Sequence, residues 1–87
     1  MTAMRAKLQV SSVFAHEDRE TGTTTSETLH FHGVAKSGGY PADGTDEDNT
    51  FAKWSPSVNL TINVTNPALF GQFKPGQKFY ADFTPAA

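Results

Sequence analysis

Val58-Asn59-Leu60-Thr61-Ile62-Asn63-Val64 alternates apolar and polar side chains without a fault. A period of two puts successive side chains on opposite faces of an extended strand. Val58, Leu60, Ile62 and Val64 are expected to face a core, with Asn59, Thr61 and Asn63 facing outward. Asn66-Pro67 follows, an N-cap acceptor and then a proline whose missing N–H costs nothing in a first helical turn. Gly71 stops that element, so a short helix over 67–72 is expected, too small to form a layer of its own. Lys74-Pro75-Gly76-Gln77 reads as a turn of type II character. It feeds a last strand in which Phe79, Ala81 and Phe83 point inward and Tyr80 and Asp82 outward.

Upstream, Ala6, Leu8 and Val10 alternate with Lys7, Gln9 and Ser11, a second half-buried strand. Val13 and Phe14 fall out of phase, which a bulge near Ser11-Ser12 would repair. A polar turn over 16–22 and a Thr-rich run from Thr23 lead into Leu29-His30-Phe31-His32, completing a long hairpin. Residues 37–50 show no periodicity, and a loop of that length in a small domain is usually functional or disordered. Phe14, Phe31, Phe70, Phe73, Phe79 and Phe83 are expected in the core. The pattern predicts one all-β domain over 1–87: a small antiparallel barrel or sandwich of four to six strands, with a flexible arm (1–4) and an acidic loop (37–50).

The chain has 87 residues, seven basic and nine acidic, and no cysteine. At this size folding buries roughly 63% of the extended-chain surface, a thin margin that no disulfide reinforces. A homo-oligomer, or docking onto a larger assembly, is therefore expected. The basic residues are scattered, which argues against the clustered Lys/Arg that nucleic-acid binding requires. No stretch approaches the roughly 20 apolar residues of a membrane span, and the N-terminus lacks the apolar core of a signal peptide. The chain reads as an intact product made in the cytoplasm.

His30 and His32 share one strand face, with His16 across the hairpin, a set that could ligate zinc or copper. A solvated face is the plainer reading, because no carboxylate or cysteine stands at a ligand spacing. The acidic run fails as an EF-hand: from Asp46, position six is Phe51 and position twelve is Ser57. No nucleophile elbow and no phosphate-binding glycine loop is present. The expectation is a protein that is not an enzyme, with no metal and no cofactor. Asn59-Leu60-Thr61 and Asn63-Val64-Thr65 match the glycosylation pattern, but read as ordinary outward-facing strand residues.

At Phe51-Ala52-Lys53-Trp54-Ser55-Pro56-Ser57, at Asn66-Pro67-Ala68 and at Pro75-Gly76-Gln77-Lys78-Phe79-Tyr80-Ala81-Asp82-Phe83-Thr84-Pro85-Ala86-Ala87, the chain resembles a group of small proteins of tailed bacteriophages. The likeness covers residues 51–87 together with Arg5-Ala6-Lys7. It implies a virion structural protein, and among these a head decoration (cement) protein bound to the capsid exterior. Its partner would be the major capsid protein lattice, and it would act as a dimer or trimer. In that picture the contacts come from Met1, Thr2 and Met4 of the arm and from Tyr40 and Asp46 of the loop. Phe51 and Trp54, which close the loop, and the outward-facing Tyr80 complete the set. Two alternatives remain: an OB-like accessory protein that binds single-stranded nucleic acid or a host protein, and a head–tail connector or tail component.

Overall fold

The computed structural model describes residues 4–86. These form four strands, β1 (Met4–Glu17), β2 (Thr24–Gly33), β3 (Asn59–Val64) and β4 (Lys78–Phe83), with one 3-10 turn at Pro67–Leu69. All pairings are antiparallel, in a single sheet of order β3-β2-β1-β4. Three strands follow in order and the fourth returns beside the first, which is the spatial order of a Greek key.

The fold is all-β, but in place of the expected barrel or sandwich the described residues form one open sheet. β3 and β4 lie on opposite edges of the sheet. Neighbouring strands rotate by only about 20–25°, so four of them cannot bring one edge round to the other. The link from β3 to β4 instead crosses the sheet's apolar face, carrying Phe70 and Phe73 onto it. Phe73 meets Phe31 edge-on at 6.3 Å and Phe79 at 5.1 Å between ring centroids.

Ala6, Leu8, Val10, Leu29, Phe31 and Val64 make the core on this face. The expected bulge is present: the β1–β2 register shifts between Val10 and Ser12. The shift keeps Val13 against the core while Phe14 turns to the other side. Glu27, also buried, accepts the Gly71 N–H at 3.1 and 3.3 Å through its two carboxylate oxygens, tying the crossover to β2.

The helix expected over 67–72 is a single 3-10 turn. Asn66 caps it as anticipated, accepting the Ala68 N–H at 3.1 Å, and Gly71 ends it at φ 76°. The Lys74–Gln77 turn forms, with Gln77 N–H donating to the Lys74 carbonyl and Gly76 at φ 92°. That positive φ is the second-corner conformation of a type II turn.

Four of the expected core residues are exposed. Phe14 is 61% exposed, Phe83 56%, Ile62 42% and Phe79 36%. Phe14 lies on the far face of a hairpin that outruns both edge strands. The other three sit on the apolar face where one crossover is too narrow to roof four strands. The molecule measures 57 × 33 × 16 Å, one sheet plus a partial lid. Its accessible surface of 6081 Å² exceeds by about a fifth the roughly 5,000 Å² expected for its mass.

This uneven cover makes a direct prediction. In the single chain, at concentrations too low for self-association, Leu29→Ala, in the closed part of the core, should cost about 3 kcal/mol, whereas Ile62→Ala should cost about 1 kcal/mol or less. Urea denaturation of the two variants measures the difference. Equal losses would mean that Ile62 is covered as fully as Leu29.

Candidate protein-binding surface

The excursion between β2 and β3 is a folded structure, built where the two central strands part. Val34 N–H still donates to the Lys7 carbonyl, but beyond this point β2 leaves β1. The side chain of Asn49, fully buried, enters the gap. Its Oδ1 accepts Lys7 N–H at 2.8 Å, and its Nδ2 donates to the Val34 carbonyl at 2.7 Å and to Asp46 Oδ2 at 3.1 Å. Thr50 continues the substitution: its N–H donates to the Arg5 carbonyl and its hydroxyl oxygen accepts Arg5 N–H.

Asp46 organises the loop around this clasp. Its carboxylate accepts the N–H groups of Lys36, Asp48 and Asn49 at 2.9–3.2 Å. Burial alone would raise its pKa, but the hydrogen bonds from Asn49, Lys36 and Asp48 outweigh it and hold the carboxyl below its ordinary value. Asp43, bonded by Thr45 N–H and hydroxyl, and Glu47, bonded by Lys36, are also lowered. Asp46, placed among the contact residues on sequence grounds, is thus turned inward and acts as scaffold.

Trp54 closes the loop in an unusual conformation. Its φ is 64°, a left-handed backbone that bulky residues rarely adopt. Trp54 N–H donates to the Gly44 carbonyl at 2.9 Å, and the indole lies directly on Gly44, itself at φ 75°. A Cβ on Gly44 would stand 2.3 Å from the ring. Tyr40 packs edge-on against the indole at 5.8 Å. The Tyr40 hydroxyl is buried near the Asp46 carboxylate, and its pKa is raised, first by desolvation and then by that carboxylate. Half of Trp54 remains exposed, so a strained backbone holds a rigid aromatic at the surface.

Two further surfaces flank the clasp. On the apolar face, Met4, Ala6, Phe51, Val58 and Phe83 line a groove of about 320 Å³. On the other face the Arg5 guanidinium lies 4.6 Å over the Tyr80 ring and bonds Asp82 at 2.6 Å. Tyr80 hydroxyl donates to Asp48 at 3.2 Å, and Lys7 Nζ lies 3.5 Å from the same carboxylate. The expected contact residues Met4, Phe51, Trp54 and Tyr80 are therefore all at the surface, but on different sides of the sheet. Met1 and Thr2 lie outside the described residues.

The histidines do not converge. His16 pairs with Ser26 and His30 with Ser12, four ladder steps apart, or about 13 Å. His16 Nε2 is 2.9 Å from the Thr28 hydroxyl, and His30 Nδ1 is 3.3 Å from that of Thr61. Among the described residues no group of three or more His, Asp or Glu side chains could hold a metal ion.

Sequence reasoning missed Asn49, Gly44 and the exposure of Phe83. The signal for the first lay within the acidic run: Asp46-x-x-Asn49 is the spacing of a side chain that bonds backbone two and three residues on. Nothing local marked Gly44, whose role depends on a ring ten residues away.

Two measurements test this architecture. The depressed carboxyls contribute stability that is complete above their ordinary values, about 3.9 for Asp and 4.3 for Glu, and is lost as pH falls through the lower folded values. Acid titration followed by Trp54 fluorescence should therefore show the loop opening below about pH 4. Asp46→Asn should weaken it already at neutral pH and flatten the acid dependence. Gly44→Ala should displace the indole and shift its emission at neutral pH, while the sheet's circular dichroism is unchanged. Comparison of the chain with protein families, with curated proteins and with solved structures finds no match.

Proposed function

We propose that this chain is a non-catalytic binding module, and specifically a head decoration protein of a tailed bacteriophage that lies on the capsid exterior and ties capsid subunits together. The observation that carries the binding part is the groove between β1, β4 and the loop. There Met4, Phe51 and Phe83 present contiguous apolar surface that one crossover leaves unroofed. Exposed apolar patches of this kind mark contact sites on proteins of ordinary solubility. The strained, half-exposed Trp54 supports the same reading, since backbone strain persists where a side chain must be presented in one pose. Trp and Tyr are also favoured interface anchors.

A flat module only 16 Å thick suits a lattice surface, which it can follow without projecting far from it. The capsid assignment itself rests on the likeness of residues 51–87 to small phage proteins. In this reading the major capsid protein covers the groove, and copies of the chain associate with one another.

Quantitative mass spectrometry of particles of the encoding phage tests the assignment. Hundreds of copies per particle are expected, and Phe83→Ser should lower that occupancy without unfolding the chain. Absence from particles, together with salt-dependent retardation of single-stranded DNA, would replace this reading with a nucleic-acid one. A handful of copies would instead place the chain at the connector or tail.

A further inference from the structure

The outer edge of β3 has the composition of a strand that pairs with itself. Read about Thr61, the sequence Val58-Asn59-Leu60-Thr61-Ile62-Asn63-Val64 is a chemical palindrome. An antiparallel second copy centred there sets Val58 against Val64, Asn59 against Asn63, Leu60 against Ile62, and Thr61 against Thr61. A two-fold interface uses the same patch on both subunits and therefore requires this kind of self-complementarity. Apolar pairs, amide pairs and a Thr–Thr pair are each favourable cross-strand neighbours.

The edge is also open and undefended. β3 bonds β2 along one side with no register shift, and among the described residues no other backbone hydrogen bond reaches Val58–Thr65. Proteins usually guard such an edge with lysine, proline or a bulge. Here no charged residue occurs between Lys53 and Lys74, and Pro56 and Pro67 bracket the strand from outside. β4, the opposite edge, differs: Lys78 and Asp82 lie within it, and Asp82 and Tyr80 are held by Arg5 and Asp48.

The geometry points to a homodimer formed by antiparallel β3–β3 pairing about Thr61, giving one continuous eight-stranded sheet. Leu60 of each copy then stands beside Ile62 of the other, covering the residue that the single chain leaves 42% exposed. The two apolar faces join into one surface, with a groove at each end. This deepens the self-association in the reading above and rests on it, but it needs no capsid. A dimer that ignores capsids keeps this inference and removes that assignment, while a monomer that decorates capsids does the reverse.

Light scattering of the purified chain should give about twice the 9.4 kDa chain mass. Because the chain has no cysteine, register can be read by cross-linking. Opposed Cα atoms in an antiparallel pair lie about 4.5–5.5 Å apart, within disulfide range. Thr61→Cys should therefore oxidise to a covalent dimer, and Tyr80→Cys on β4 should remain a single chain. Asn59→Lys with Asn63→Lys should weaken association by about tenfold or more. Asn59→Lys with Asn63→Asp should retain it, and both variants should keep the β-sheet circular dichroism. A single-chain mass at every concentration would overturn the proposal. So would cross-linking of Tyr80→Cys as fast as Thr61→Cys, or equal loss of association in both charge variants.

Discussion

The side chain of Asn49 completes a β-ladder that the backbone leaves unfinished. Where β2 parts from β1, the partly buried Lys7 N–H and Val34 carbonyl would lose their ladder partners. One amide satisfies both. An unsatisfied buried backbone group costs about 1–3 kcal/mol, so this contact favours closure of the loop over the strands. Its geometry then propagates outward. Asp46 fixes Asn49, the turns around Asp46 set Gly44 opposite Trp54, and Thr50 leads to Phe51 at the rim of the apolar groove. The loop aromatics Phe51 and Trp54 are thus positioned through one buried amide, while Met4, Phe83 and Tyr80 are set by the pairing of β1 with β4.

The sheet is otherwise economical to the point of incompleteness. A single crossover supplies the second layer, and it covers Leu29 and Phe31 far better than Ile62 or Phe83. Such an arrangement is stable enough to define strands while leaving apolar surface for others to cover. The polar face is organised differently, by Arg5 stacked on Tyr80 and paired with Asp82, and by hydroxyl and imidazole contacts across β1, β2 and β3. The two faces therefore divide the work, one held by charge and hydrogen bonds, the other by partial burial.

Strand positions, the Ser11 bulge, the Asn66 cap and the Gly76 turn were all legible in the sequence, because each depends on residues within a few positions of one another. The closure of the sheet was not. Alternation shows which side of a strand is apolar, but not whether anything lies above it, so Ile62, Phe79 and Phe83 looked like core. The acidic loop was misread for a related reason. Asp46 and Asn49 are polar residues whose burial depends on backbone groups of Lys7, Val34 and Lys36, and no local pattern connects 46–49 with 7 or 34. Trp54 was singled out as an aromatic, while the glycine that seats it was passed over.

The proposal is a thin scaffold whose open apolar face is covered in its working state. Under the function proposed above, a cryo-electron microscopy reconstruction of the phage particles tests that most directly. The proposed function predicts sheet density of these dimensions on the outer capsid surface, with Met4, Phe51 and Phe83 against the capsid protein. A bare shell, or density with that groove facing solvent, would contradict it.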